Sequence, residues 1–212
     1  MLLRGENMKS NDELVSDLLE RLKKLNYIHT SEIPAIDLYM DQVTTFMEQH
    51  LSNGKRHDED KILTKTMINN YVKNDLLPPP VKKKYSRDHL ILLAFIYYFK
   101  GFLSIGDIQV LLEPLAEKYF TEDHKKLDKI YSETVKIEKL QLMDLLKEVE
   151  SRSELSRRAF KTYPEEDREY LQLFSLVCML SFDVYLKKQM IEQIIDQMRA
   201  DKEEKGKDKP QK

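Results

Sequence analysis

The sequence predicts an all-α protein, on three observations. Among 212 residues only 5 are glycine, charged residues make up 34%, and Leu, Ile, Lys and Glu are abundant, a mixture that favours helix over sheet. Apolar residues recur every three or four positions through most of the chain, the period of a helix buried along one side. Ser, Thr or Asp stands just ahead of those periodic runs, where helix N-caps belong.

The first run has Leu14, Leu18, Leu22 and Leu25 on one stripe, capped by Ser10 or Asn11 and ending near Tyr27. A connector through Pro34 follows. The second helix is expected from near Asp37 to Leu51, burying Met40, Val43, Phe46, Met47 and Leu51, and Ser52-Asn53-Gly54 stops it. After a mixed-charge loop, Thr64 caps a third helix. At 100° per residue its Met67, Ile68, Tyr71 and Val72 share one half. Lys65, Thr66, Asn69, Asn70 and Lys73 fill an arc of roughly 140° on the other, with no acid among them.

Leu76-Leu77-Pro78-Pro79-Pro80 ends that helix in a stiff turn, and Lys82-Lys83-Lys84 follows directly. Ser86 caps the next helix, Arg87 to Lys100, with Gly101 as its left-handed stop. Ser104 to Asp107 reads as a capping box for a helix through Leu112 that Pro114 closes. A long helix then opens at Thr121, Glu122 and Asp123 and reaches Glu150, its buried side marked by Leu127, Tyr131, Val135, Leu142, Leu145 and Val149. Ser151 to Lys161 reads as a polar link. Pro164 and three acids open a last long helix, which is apolar almost all round between Leu171 and Leu186 and so is expected at the centre of a bundle or in a dimer interface.

Net charge is only −2, so the whole chain exerts no pull on nucleic acid. Between Lys61 and Lys100, however, eight basic residues face two acids, leaving the remainder of the chain at −8. Such segregation suits a basic reading surface on an acidic body; the blander alternative is a lysine-rich solvated face. Asn69 and Asn70 match the donor–acceptor edge of adenine, and Lys65 and Lys73 suit guanine or phosphate; with Thr66 these are the candidates for base-edge contact. Lys82, Lys83, Lys84 and Arg87 are placed to meet the phosphate backbone.

Other chemistry finds little support. The single cysteine, Cys178, lies in an apolar run and reads as a buried, inert thiol; one thiol per chain excludes an intramolecular disulfide and points to a reducing cytoplasm. His29, His50, His57, His89 and His124 are scattered without metal-ligand spacing, and His89 suits a capping role. Phe95, Tyr97, Tyr98, Phe99 and Phe102 fall at helical spacing and read as core rather than as a ligand pocket. No phosphate loop or nucleophile motif occurs, so neither an enzyme nor a bound cofactor or metal is expected. The start of the chain has no apolar core behind Arg4 and Glu6, and the longest apolar run, Leu90 to Phe99, is about half a bilayer span. A protein with no membrane contact is the expectation.

Leu63 to Leu112 resembles the MerR-type winged helix domain through Tyr71, Leu76-Leu77-Pro78, Tyr85-Ser86-Arg87-Asp88-His89-Leu90, Lys100-Gly101-Phe102-Leu103-Ser104, Asp107-Ile108 and Leu111-Leu112. More closely, Leu63-Thr64-Lys65-Thr66-Met67-Ile68-Asn69-Asn70-Tyr71 resembles the signature of an uncharacterised YkrK-like family of Gram-positive bacteria, and the likeness extends upstream through Ile36 to Val43. Val81-Lys82-Lys83-Lys84 stands where the MerR wing carries a glycine-tyrosine-arginine hairpin, and the Ser52 to Asp60 loop is longer than a tight helix-turn-helix has.

The resemblance implies a MerR-like helix-turn-helix module, here with a short basic wing, and the periodicity and charge of the rest add a C-terminal helical bundle with two long helices. Residues 1–36 would form an N-terminal helix and connector, 37–113 the helix-turn-helix domain, 114–200 a dimerisation or effector region, and 201–212 a disordered charged tail. It further implies a sequence-specific transcriptional regulator whose partners are double-stranded DNA, a second copy of the chain through the C-terminal helices, and a small-molecule effector of unspecified chemistry. The competing reading is a helical protein-interaction module whose helix-turn-helix no longer binds DNA.

Overall fold

A computed structural model describes residues 9–24, 27–121 and 124–207. Helix accounts for 74% of the described residues, nearly all of it in seven α-helices, and the sheet among them is a single pair of two-residue strands. The chain is all-α in class. In order the elements are α1 (Asn11–Lys23), β1 (Leu38–Tyr39), α2 (Met40–Leu51), α3 (Lys65–Lys73), β2 (Lys84–Tyr85), α4 (Arg87–Phe99), α5 (Ile105–Tyr119), α6 (Lys125–Arg158) and α7 (Glu165–Lys207). They gather into two compact units. One joins Asn26–Lys136 to Met190–Lys212, the other Met1–Leu25 to Ile137–Gln189.

In the larger unit α4 is the centre. Its Leu90, Ile91, Leu92, Leu93, Ala94 and Ile96 are each at most 1% exposed, so it has no solvent face. Val43, Met47, Ile68, Leu77, Ile108, Leu112, Leu127, Tyr131 and Ile195 join it in one core. Three consecutive polar residues at the start of α4 tie its neighbours down. The Arg87 guanidinium bonds Asp128 at 2.7 Å and donates to the carbonyls of Thr30 and Ile33. Asp88, fully buried, accepts from the Thr121 N–H at 3.3 Å and lies 3.0 Å from His124 Nδ1. His89 Nδ1 accepts the Ser86 N–H at 2.9 Å, which leaves Nε2 to donate to the Pro78 carbonyl at 3.1 Å.

Several boundaries differ from the sequence expectation. α2 begins at Met40, because Leu38–Tyr39 is extended and paired with β2. Gly101 is not left-handed: Lys100 is the right-handed C-cap, and the turn closes through N–H groups of Phe102 and Leu103 on the Phe99 carbonyl. Gly54 does have a steric role, since a Cβ there would lie 2.9 Å from the Tyr97 hydroxyl oxygen. Pro114 sits inside α5 rather than closing it. Proline removes one internal bond, and burial of Ile108 and Leu112 beside half-buried Leu115 and Ala116 keeps the helix going.

In the smaller unit α1 has the expected Ser10 capping box, with Glu13 reaching back to the Ser10 N–H. It buries Val15 and Leu19, whereas Leu18 is 39% exposed and Leu25 lies outside the described residues. The core there is small: Val15, Leu19, Leu146, Val149 and Leu176. Leu146, not Leu145, is the buried partner on α6. The expected link after Glu150 is helix to Arg158, its arginines paired with carboxylates: Arg152 with Glu148 and Asp183, and Arg157 with Asp12 at 2.9 Å. Helix α6 begins at Lys125; Glu122 and Asp123, named as its opening, lie outside the described residues.

α7 departs most. It continues as helix to Lys207, through the first part of the segment expected to be disordered; residues 208–212 lie outside the described residues. Nor is its apolar stretch central: Phe174, Val177, Phe182, Val184 and Tyr185 are each more than half exposed, and Cys178 is exposed rather than buried. By length and composition α7 is apolar enough to cross a membrane. A search for unbroken apolar runs overlooks this because Gln172, Ser175, Ser181 and Asp183 interrupt the stretch.

Burial pushes the His89 imidazole below its ordinary pKa, against a smaller upward pull from the Pro78 carbonyl. The folded protein therefore holds His89 neutral, while the unfolded chain takes up a proton near pH 6.5. Its contribution to stability is complete above that value and is lost as pH falls through the depressed folded value. Urea unfolding at pH 7.5 and 5.0 is expected to show a larger loss of stability on acidification for the wild type than for His89→Gln. Equal losses would remove His89 from the acid response.

Candidate nucleic-acid interface

α3 carries all five of the residues singled out for base contact. Thr64 caps it, its side-chain oxygen accepting the Met67 N–H at 3.1 Å. Ile68 and Tyr71 are buried, and Thr66, Asn69, Asn70 and Lys73 are exposed. That division is what the 100° periodicity requires. The helix stops before the prolines. Asp75 adopts a left-handed φ of 55°, the Asp75 N–H bonds the Val72 carbonyl at 3.3 Å, and the Leu76 N–H bonds that of Tyr71 at 2.9 Å. This is a Schellman stop with an aspartate where glycine is usual, and the burial of Leu76 and Tyr71 accompanies it. The triproline comes after the stop, and His89 holds its first carbonyl.

The lysine triplet forms a hairpin. Val81 and Lys84 exchange both backbone bonds, at 3.1 and 2.9 Å, around Lys82 and Lys83. Both central residues are left-handed, with φ of 52° and 63°, the type I′ pattern usually built from Asn-Gly. β2 then pairs antiparallel with β1, Tyr39 opposite Lys84 and Leu38 opposite Tyr85. Alternation puts Leu38 and Tyr85 inward, both buried, and leaves Tyr39, Lys84 and Val81 in a row on the outer side. Lys84 Nζ lies 5.2 Å from the centre of the Tyr39 ring.

The hairpin and α3 meet at the start of α2. Tyr39, under Lys84, is the N-cap of α2, and Asp41, two residues on, pairs with Lys65 at the start of α3. The base of the hairpin and the N-terminus of α3 are thus both fixed to one turn of α2. The Lys65–Asp41 pair is exposed on both sides and so is worth at most about 1 kcal/mol; a phosphate could replace the carboxylate at little cost.

Two of the eight basic residues in the window have internal roles. Arg87 does not reach a phosphate-facing surface, because Asp128 and the Thr30 and Ile33 carbonyls occupy its guanidinium. Lys100 donates to the Ile62 carbonyl and lies 5.1 Å from the Tyr97 ring centre, where burial pushes its pKa down. Of the phosphate set, Lys82, Lys83 and Lys84 remain.

Tyr39 and Val81, at 53% and 71% exposed, were not anticipated as part of this face. What brings them there is the β1–β2 pairing and the Val81–Lys84 turn, which a reading of single helices does not contain. No group of three metal-ligating side chains converges among the described residues. A hollow of about 150 Å³ lined by Asp75, Leu76, Pro78, Gln109, Glu113 and Glu117 is below the several hundred Å³ of ordinary small-molecule sites. The aromatic run of α4 is mainly core, with Phe95 buried and Tyr97, Tyr98 and Phe99 packed against it.

Each left-handed lysine costs on the order of 1 kcal/mol. Replacing the pair by the turn's preferred residues, Lys82→Asn with Lys83→Gly, is expected to raise stability by about 1–2 kcal/mol in urea unfolding. Unchanged stability would show that the turn is not strained.

The hairpin-and-helix face lies wholly within the segment that comparison with known proteins picks out. No curated protein and no solved structure matches the chain. Residues 28–134 match a family described as a domain of unknown function, DUF1836, and these bounds nearly coincide with the Asn26–Lys136 part of the larger unit. With half of its length matched in this way, the chain belongs to the DUF1836 family.

Proposed function

We propose that this protein is a sequence-specific DNA-binding transcriptional regulator of the cytoplasm, built on a MerR-like winged helix-turn-helix, and that it acts as a homodimer through its C-terminal helices. The observation that carries the reading is the outward face of α3. It offers Thr66, Asn69, Asn70 and Lys73 to solvent with no acid among them, beside a hairpin tipped by Lys82 and Lys83. In this reading α3 enters the major groove with Asn69 and Asn70 toward base edges. Lys65 exchanges Asp41 for phosphate, and Lys82 to Lys84 follow the backbone alongside. Tyr39 and Val81 supply apolar contact between the two.

A second reading is favoured by a different observation, the exposed apolar face of α7. It makes the protein an interaction module in which the winged fold no longer meets DNA.

Fluorescence anisotropy with a random duplex pool and with the gene's upstream region, over a salt series, separates the two. A DNA reader binds with a steep salt dependence and prefers the upstream region. Asn69→Ala is expected to relax sequence choice, whereas Lys82→Gln, Lys83→Gln and Lys84→Gln together weaken binding to all sequences and flatten the log–log salt slope by about 2–3. Arg87→Gln is expected to lower stability and leave that slope unchanged. A folded protein that binds no duplex at low salt contradicts the DNA reading.

A further inference from the structure

The smaller unit leaves an apolar strip on α7 uncovered. Gln172 and Leu176 face its core. At 100° per residue, Tyr170, Phe174, Val177, Cys178, Phe182 and Tyr185 fall on the opposite side, within an arc of about 140°, and all six are exposed. From Tyr170 to Leu186 the only charged residue is Asp183, which lies on the inner side and pairs with Arg152 of α6. The strip is therefore uncharged for some 25 Å. Opposite charges bound it: Glu165, Glu166 and Asp167 at its N-terminal end, Lys187 and Lys188 at its C-terminal end.

We infer that this strip is the interface with a second copy of the chain, α7 lying antiparallel on α7 with the two-fold axis between Val177 and Cys178. That register sets Asp167 against Lys188 of the partner at both ends, Tyr170 against Tyr185, and Phe174 against the small Ser181. Every one of these residues lies on the same exposed side of the helix. A parallel pairing stacks acids on acids at one end and lysines on lysines at the other, which is repulsive. A lipid bilayer satisfies the strip but not the rest of the helix, whose inner face holds Gln172 and the Asp183–Arg152 pair. The isologous contact uses one patch twice, as a two-fold dimer must. It rests on the homodimer of the proposed function and gives that dimer its face and register, while DNA contact can fail without it, since neither α3 nor the hairpin takes part.

Sedimentation equilibrium of the full chain tests it. The expected mass is twice the chain's 25.2 kDa, and Phe174→Glu, at an exposed position, is expected to give a monomer with unchanged helical circular dichroism. Asp167→Lys is expected to weaken the dimer about tenfold, two pairs being broken at once, and adding Lys188→Asp to the same chain to restore it. That rescue is specific to the antiparallel register, and it stands as a test should Phe174→Glu fail to fold. Mild oxidation is expected to link Cys178 to Cys178 of the partner. A monomer at tens of micromolar, a dimer that Phe174→Glu leaves intact, absence of charge-swap rescue, or monomeric flotation with phosphatidylcholine vesicles would each overturn the inference.

Discussion

A helix with no solvent face must be enclosed, and most of the larger unit follows from enclosing α4. Burial of its six large apolar side chains from Leu90 to Ile96 contributes on the order of 10 kcal/mol before entropy is counted. A helix buried on all sides cannot leave its first-turn donors to water, so the capping chemistry at Ser86 becomes internal structure. Arg87, Asp88 and His89 turn that necessity into three tethers, reaching residues 30–33, the start of α6 and the Pro78 carbonyl. The Pro78 tether fixes where α3 ends, and β2, immediately before Ser86, fixes the hairpin. The position of the candidate interface is thus a consequence of how α4 is buried.

The face itself combines strong and weak interactions in a way that suits exchange with a charged ligand. Its framework is rigid: a Schellman stop, a strand pair and a capped helix. Its charges are loosely held. Lys65 has only an exposed partner, and Lys82 and Lys83 sit at a turn that disfavours their own side chains. A turn that retains two lysines where asparagine and glycine would be more stable fits the pattern of strain kept at functional positions.

Much of this was legible in the sequence, and the misses have physical reasons. The α3 face was readable because a short helix with one buried side obeys periodicity, and Thr64 is an unambiguous cap. His89 was readable because its spacing from Ser86 suits a capping box. Arg87 was misplaced because a basic residue looks the same in sequence whether it faces phosphate or a carboxylate 41 residues away. The left-handed Lys82 and Lys83 carry no local signal at all; only the pairing of the strands imposes them. In α6 the choice between Leu145 and Leu146 depends on where α1 lies, which periodicity within one helix cannot supply. The apolar stretch of α7 was legible, but periodicity alone leaves open whether a bundle or a second copy covers it, and within one chain it is exposed.

The claim on which the rest turns is that the α3 face and the lysine hairpin together meet duplex DNA. Amide chemical-shift mapping of the isotope-labelled full chain during titration with duplex tests it residue by residue. Shifts confined to Lys65, Thr66, Asn69, Asn70, Lys73, Tyr39 and the Val81 to Lys84 hairpin, with the amides of α4 unmoved, are what the account predicts. Shifts centred elsewhere, or none at low salt, would contradict it.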